Sequence, residues 1–284
     1  MGVARPGDWL NQPRPWQAQR IAASLRNRRA AELTDDEASR RRVASRPRNL
    51  DFLLRRRNSF VNDALKPGQR VLEIGAGLGV TALYVDGVEL VTSDYRPKPW
   101  VDTAADAQVL PFRSGAFDAA VAMHVLHHLP SPRSALHELI RVVRPGGLLI
   151  IAEPHESVAT RVSLWLSRHE YIDHNIDPYE SDRCQTRPEF AGGGNNCIGD
   201  LLFDDMPRFH ATFPGLTLEH HEMAECLTFL NSGGVSARGP AIPLPPKGLA
   251  LLGKADDRLM RFTKAFPLCR ELVFRKASAP SVAK

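Results

Sequence analysis

The middle of the chain alternates short apolar runs with amphipathic segments. Four runs have the length and composition of buried strands: 70–74, 88–93, 117–123 and 148–152. Two segments, 50–65 and 132–143, place their apolar residues on one helical face, and proline and glycine end both of them. Apolar strands that alternate with helices predict an α/β fold with a mostly parallel, doubly wound sheet. Ligands of such sheets bind beyond the carboxyl ends of the strands.

After residue 154 the regular alternation of apolar strands and amphipathic helices ends. Further helices are predicted over 158–168 and 198–212, and further strands over 216–222 and 268–276. The segments 155–197 and 223–266 are too long for simple connections, and segments of that length are usually functional. We therefore expect two insertions that form a cap beside the ligand mouth.

Charge separates the first part of the chain from the rest. Residues 1–66 hold 15 basic and 7 acidic residues, a net charge of +8, whereas residues 67–284 hold 22 and 25, a net charge of −3. We interpret residues 1–49 as a basic leader, helical or partly disordered, with helices over 22–31 and from Asp35, where Thr34 and Glu37 have capping-box spacing. The domain proper is expected to be 50–284.

The apolar runs and the cysteines indicate the compartment in which the protein is expected. No apolar run is long enough to cross a bilayer, and the N-terminus lacks the apolar core of a secretory signal. The four cysteines show no paired metal-ligand spacing, so reduced thiols in a cytoplasmic protein are expected.

A glycine loop follows the first predicted strand. Gly75, Gly77 and Gly79 leave the backbone bare where a ligand meets the start of the next element, and their G-x-G-x-G spacing differs from the G-x-G-x-x-G of dinucleotide sites. Asp94 ends the second strand, where a carboxylate can accept both hydroxyls of a ribose. Asp106 lies where it could hold an adenine edge. The loop and both carboxylates converge on one nucleoside.

At this point the sequence resembles the class I S-adenosylmethionine-dependent methyltransferases, and in particular the ubiquinone/menaquinone-biosynthesis subgroup. The blocks that carry the resemblance are 71–79, 92–94, 106–112, 117–129 and 141–150. The resemblance implies S-adenosyl-L-methionine as cofactor and a Rossmann-like fold. The sheet would have seven strands, the last antiparallel, with two lid-like insertions. Because only fourteen residues separate Gly79 from Asp94, the helix after the loop must be short, near 80–84.

The resemblance also assigns residues to the cofactor. In the family, the matches to Glu73 and Gly75 line the methionine part, the match to Asp94 binds ribose, and Asp106 with Ala107 lie at adenine. The full set of expected cofactor-binding residues is Glu73, Gly75, Ala76, Gly77, Asp94, Tyr95, Asp106, Ala107 and His124.

Histidines follow the third of the four apolar runs and are the candidate acid-base groups. Methyl transfer to a hydroxyl needs a proton acceptor, which histidine can supply near neutral pH. We predict His124 as the residue nearest the transferred methyl group and His127 as a second catalytic candidate. The alternative for His127 and His128 is a packing or capping role at a helix start.

The first insertion is rich in possible metal ligands. Its polar cluster comprises His155, Glu156, His169, Glu170, Asp173, His174, Asp177, Glu180 and Asp182. His169 and His174 are five residues apart, which does not place them on one helical face, and we assign no metal. A site assembled across loops stays open beside the favoured interpretation, a solvated lid.

Three functions stay in competition at this stage. A methyltransferase acting on a small molecule, such as a metabolite, sugar or lipid-linked intermediate, is favoured, with O-methylation expected. The basic leader would suit an RNA or DNA methyltransferase, and a non-catalytic cofactor-binding protein is a third possibility. Segment 244–266 mixes leucines with lysines and arginines and is a candidate for peripheral membrane contact.

Overall fold

The computed structural model describes residues 30–167, 170–185, 193–235, 239–263 and 265–278. Its centre is a seven-stranded sheet in the order β3-β2-β1-β4-β5-β7-β6. The strands are β1 (Arg70–Ile74), β2 (Glu89–Asp94), β3 (Thr103–Ala104), β4 (Phe117–Met123), β5 (Val143–Pro154), β6 (Leu216–Ala224) and β7 (Cys269–Lys276). Only β7 runs against its neighbours β5 and β6. The expected mostly parallel sheet with an antiparallel last strand is confirmed.

Helices cover the sheet and its carboxyl edge. The α-helices are α1 (Ala30–Ala44), α2 (Arg48–Ala64), α3 (Pro132–Val142), α4 (Val158–Ser167), α5 (Ile198–Phe203), α6 (Met206–Thr212), α7 (Leu227–Leu230) and α8 (Pro246–Phe262). Two short 3-10 helices, Thr81–Leu83 and Leu126–His128, follow β1 and β4. The first of them confirms that only a short helix fits behind the glycine loop.

The core forms on both faces of the sheet because the central strands are apolar on both sides. One buried cluster joins Leu72, Ile74 and Ala120 to α3, α5 and α6. The other face packs Val71 and Val121 against α2. Burial of this apolar surface is the main term that favours the folded state.

Three expected boundaries are wrong. The helix from Asp35 is part of α1, which already includes Ala30, so Thr34 lies inside the helix rather than at its start. The helix expected over 198–212 is two helices, because the Asp205 carboxylate accepts a hydrogen bond from the Arg208 backbone N–H and starts a new helix. Strand β5 begins at Val143, directly after α3, rather than at 148.

The described part of the basic leader packs against the domain. Arg40 donates to the carbonyls of Leu78 and Gly79 in the glycine loop, and Arg42 donates to the carbonyls of residues 233–235. Helix α1 therefore links the loop after β1 to the segment between β6 and β7. The predicted helix over 22–31 lies outside the described residues, apart from its last two positions.

The cysteines are unpaired and buried at positions 184, 197, 226 and 269. Within the described ranges, no helix combines the length and apolar character needed to span a membrane.

Candidate cofactor and acceptor site

The glycine loop turns at the carboxyl end of β1, next to the end of β4. Gly75 and Gly77 have φ of 62° and 53°, the left-handed region that favours glycine. A Cβ added to Gly75 would lie 2.3 Å from Cγ2 of Val125, so the loop and the segment after β4 touch at a point that only glycine allows. The Gly77 backbone N–H donates to Oδ2 of Asp94 at 2.8 Å, which joins the loop to β2.

Glu73 is a buried carboxylate at the end of β1. Its side chain lies beside Thr81, and its Oε2 has no hydrogen-bond partner among the described residues. Burial is the main cause that raises the pKa of Glu73 to about 8; the hydrogen bond with Thr81 opposes this rise and the nearby charge of Asp94 adds to it. A buried, unsatisfied carboxylate oxygen costs free energy, and a bound cation or N–H donor would satisfy it.

The raised pKa of Glu73 makes the stability of the ligand-free protein depend on pH. A folded-state pKa above the unfolded value contributes stability below about pH 4.5 that is lost as the pH rises through about 8. We expect Glu73→Gln to unfold like the parent near pH 5 and to be more stable by on the order of 2 kcal/mol near pH 9. Urea unfolding followed by circular dichroism measures this difference. Asp63→Asn, at an exposed carboxylate on α2, is the control. A difference between Glu73→Gln and the parent that stays constant with pH would contradict the assignment.

Asp94 is held by the loops on either side of it. Besides the Gly77 contact, its Oδ1 accepts from the backbone N–H of Arg96 at 2.9 Å, and Lys98 Nζ lies 3.5 Å from Oδ2. Lys98 and the Trp100 indole N–H both donate to the Gly77 carbonyl at 3.0 Å. The carboxylate is therefore fixed at the loop, and Oδ1, with one donor, keeps a lone pair for a hydroxyl group.

The remaining expected cofactor residues surround the same edge. Asp106 Oδ1 accepts from the backbone and side-chain amides of Gln108, at 2.9 and 3.0 Å, so this carboxylate also shapes its own loop. Ala76 and Ala107 are buried, and Tyr95 is 43% exposed beside Asp94. The structure thus brings the expected residues of β1, β2 and the loop after β3 to one edge of the sheet. Their contacts with the cofactor stay predictions.

His124 follows β4 in an unusual backbone conformation. Its φ is 53°, one of three positive values at non-glycine residues within the described ranges. Burial lowers the pKa of His124 well below its usual range, and the charge of Arg57 lowers it further. The imidazole is therefore neutral at neutral pH. Its Nε2 lies 3.9 Å from Sγ of Cys269.

His127 is anchored by Glu153, which the sequence did not single out. Glu153 is fully buried at the end of β5, and its Oε1 accepts from the backbone N–H groups of Val125 and Leu126. Its Oε2 lies 2.6 Å from Nδ1 of His127. Burial alone would lower the pKa of His127, but the charge and hydrogen bond of Glu153, with Glu170, raise it to about 10. These contacts favour a positioning role, and catalysis by His127 stays a prediction.

Two groups of possible metal ligands occur among the described residues, each with ligand atoms within 4.8 Å of one another. The first is His127, His128 and Glu170, and the second is Glu156, His174 and Cys197. Glu156 and His174 also line a cleft of about 400 Å³ with His155 and Asp200. His169 of the expected cluster lies outside the described residues.

A buried ion pair near His124 was also missed from the sequence. Arg57 on α2 and Glu225 after β6 form a two-point contact, Nε–Oε1 and Nη2–Oε2, with both distances 2.6 Å. In the sequence, Arg57 is the last of three consecutive arginines, and no local pattern indicates that it pairs with Glu225, 168 positions later.

Comparison with known proteins identifies the family to which the chain belongs. A family model described as a methyltransferase domain matches residues 24–184, more than half of the chain. A demethylmenaquinone methyltransferase of Paenarthrobacter aurescens is 39% identical over 133 residues, covering 42% of this chain and 51% of that protein. A 2-methyl-6-phytyl-1,4-hydroquinone methyltransferase of Synechocystis is 33% identical over 110 residues, covering 32% and 34%.

The likeness to these relatives is partial. The chain spans about half the length of the first relative, 51%, and the matched residues are a minority of this chain, 42%. A solved S-adenosylmethionine-dependent methyltransferase of Archaeoglobus fulgidus is 16% identical with a TM-score of 0.46, covering 79% of this chain and 93% of that one.

Proposed function

The chain belongs to the methyltransferase domain family, and we propose that it is a class I S-adenosylmethionine-dependent methyltransferase that methylates a hydroxyl group of a small-molecule acceptor. The observation that carries the proposal is His124, a neutral imidazole at the carboxyl end of β4, beside the residue that touches the glycine loop. The relatives are named for quinone-type small-molecule substrates.

The residues at the sheet edge fit S-adenosylmethionine. This cofactor carries a sulfonium and an ammonium, and the unsatisfied Oε2 of buried Glu73 is an acceptor for a cationic group. Asp94 supplies carboxylate oxygens for the ribose, and the bare backbone of Gly75 and Gly77 allows close approach. When bound, the cofactor supplies the electrophilic methyl group.

The protein's own task is to align the acceptor and accept its proton. His124 is held in the left-handed conformation, with its backbone N–H donating to the Ala152 carbonyl at 2.7 Å. Burial, and then the positive charge of Arg57, keep its imidazole unprotonated before the acceptor binds. In the proposed step, the acceptor hydroxyl gives its proton to His124 as its oxygen takes the methyl group.

Replacing His124 tests this role. We expect His124→Asn to lower kcat by about 100-fold, because general-base catalysis contributes about 100- to 10,000-fold. Asparagine tolerates positive φ, so the backbone is kept. The measurement is transfer of labelled methyl groups to a panel of phenols, quinols and sugars, with cofactor affinity measured by calorimetry.

His221→Asn is the control, because His221 is exposed on β6. Its turnover should equal that of the parent protein. If His124→Asn keeps full turnover, or if only amines or carbon nucleophiles are methylated, the proposed hydroxyl chemistry is wrong. Cofactor binding without turnover on any acceptor would favour the non-catalytic alternative.

We also propose that the acceptor is reached at a membrane surface. On α8, Leu251 and Phe262 are 69% and 76% exposed and share a helical face with Lys247, Lys254 and Arg258. On α4, Val158 and Trp165 are 60% and 75% exposed, and Ala159 of this helix donates a backbone hydrogen bond to Ala265. Exposed apolar side chains with cations among them suit an anionic lipid surface.

Vesicle binding tests this surface. We expect the protein to sediment with vesicles that contain anionic lipid, and the double variant Trp165→Glu/Phe262→Glu to bind at least tenfold more weakly. Leu230→Glu, at an exposed leucine on α7, is the control. Equal sedimentation of the parent and the double variant would contradict the membrane proposal. A water-soluble acceptor would then be favoured.

The described arginines of the leader give the nucleic-acid alternative little support. Arg40, Arg42 and Arg46 donate to backbone carbonyls of the domain. Filter binding to RNA across a salt series is the test, because phosphate contacts predict a steep loss of affinity with salt.

A further inference from the structure

Three side chains from two segments converge beyond the carboxyl end of β4. His127 and His128 come from the 3-10 helix after β4, and Glu170 comes from the first insertion. Glu170 Oε1 lies 3.5 Å from Nε2 of His127 and 3.3 Å from Nε2 of His128. We propose that these residues form a site for one divalent transition-metal ion, Zn²⁺ in the first instance.

The distances suit ligation better than hydrogen bonding. Hydrogen bonds between nitrogen and oxygen are usually about 2.9 Å long. Ligand atoms about 2.05 Å from a tetrahedral zinc ion lie about 3.3 Å apart. Both Nε2–Oε1 separations are therefore close to an edge of a zinc coordination tetrahedron. Imidazole and carboxylate ligands together favour zinc and iron over calcium or magnesium.

Outer contacts orient two of the three ligands. Nδ1 of His127 lies 2.6 Å from the buried carboxylate of Glu153, which turns Nε2 towards Glu170. Oε2 of Glu170 accepts from the side-chain amide of Asn196 at 2.6 Å, which leaves Oε1 for the ion. A histidine ligand whose other nitrogen faces a carboxylate is the usual outer-shell arrangement of metal sites.

Gly194 leaves the space beside the ligands free of a side chain. A Cβ at this position would lie 2.6 Å from Cδ2 of His127, 2.9 Å from Oε1 of Glu170 and 2.9 Å from Cε1 of His128. The His128 side chain is 34% exposed, which gives an ion a path from solvent. Three protein ligands leave a fourth position for water or an acceptor oxygen.

The second group of possible ligands is less suited to an ion. Burial raises the pKa of Cys197 to about 11, and its Sγ donates to the Asp173 carbonyl at 3.1 Å. Arg161 pairs with Glu156, and the His174 side chain is 54% exposed. At this group an ion would have to displace Arg161 from Glu156 and the Asp173 carbonyl from Cys197.

Zinc binding by the full chain tests the site. The protein is stripped with chelator, and Zn²⁺ affinity is measured by competition with a chromophoric chelator, without cofactor or acceptor. We expect one equivalent of zinc, and affinity at least about 10-fold weaker in Glu170→Gln and in Gly194→Ala, whose methyl group would enter the site. Co²⁺ loading should give visible absorption bands of a low-coordinate site.

Matched variants separate the outcomes. Gly215→Ala, where nothing lies within 4 Å of an added Cβ, and His174→Ala should bind zinc like the parent. His128→Ala, at a partly exposed ligand, replaces Glu170→Gln if that variant does not fold. No zinc bound by the parent overturns the proposal, as does loss in His174→Ala with retention in Glu170→Gln. Because cofactor binding is measured separately by calorimetry, either result is independent of the methyltransferase assignment.

Discussion

Gly75→Ala is expected to weaken S-adenosylmethionine binding by at least 100-fold and to lower the free energy of unfolding by about 3 kcal/mol. The added methyl group would lie 2.3 Å from Cγ2 of Val125, and the φ of 62° is unfavourable for alanine. Relief of this overlap requires the loop and the segment carrying His124 to separate. Calorimetric titration with the cofactor and urea unfolding measure the two effects.

Gly68→Ala isolates the cost of the backbone conformation. Its φ is 79°, but nothing lies within 4 Å of an added Cβ, so we expect a loss of about 1 kcal/mol and unchanged cofactor affinity. Val125→Ala in the Gly75→Ala background should restore part of the affinity. Asp94→Ala should weaken binding through loss of the ribose acceptor. Parent-like affinity in Gly75→Ala would disprove the close contact between the two segments.

Removing Arg57 is expected to cost about 3–5 kcal/mol, because Glu225 is left buried and unpaired. Burial alone would lower the pKa of Arg57, but the charge and hydrogen bonds of Glu225 outweigh it, so the guanidinium stays ionised. The pair joins α2 to the end of β6. Arg57→Met should therefore unfold at a clearly lower urea concentration than the parent.

The double variant Arg57→Met/Glu225→Leu tests whether the loss of stability in Arg57→Met comes from the unpaired charge of Glu225. Replacement of a buried ion pair by apolar side chains is often neutral, so most of the stability should return. The His124 pKa should rise in Arg57→Met, because a nearby positive charge is lost. A double variant as unstable as Arg57→Met would show that the cost lies in packing rather than in an unpaired charge.

The sequence predicts this fold well where one local rule decides the structure. Strands β1 and β4 were predicted with their observed bounds, because each is a short apolar run closed by a turn. The short helix behind Gly79 followed from chain length alone. The split between α5 and α6 was missed because one aspartate, Asp205, caps a new helix inside a continuous apolar pattern.

The candidate site is predicted only where it lies on the first strands. Glu73 and Asp94 follow strands in a recognisable order, so their place at one sheet edge could be expected. In the sequence, Glu153 is only a polar residue at the end of a strand, and its contact with His127 becomes visible only in the folded structure. Glu170 and Asn196 lie in an irregular insertion, where no periodicity fixes the side-chain positions. Long-range pairing of this kind is set by tertiary packing.

The reactivity of the buried cysteine thiols reports where the folded chain opens. Burial raises the pKa of Cys184 and Cys226 to about 11, and that of Cys269 well above its usual range. Because the thiolate is the reactive form, alkylating reagents modify these positions only after the surrounding structure has separated. Cys269 lies in β7, between two strands, whereas Cys184 lies in the first insertion. Their relative labelling rates therefore distinguish detachment of the insertion from unfolding of the whole sheet.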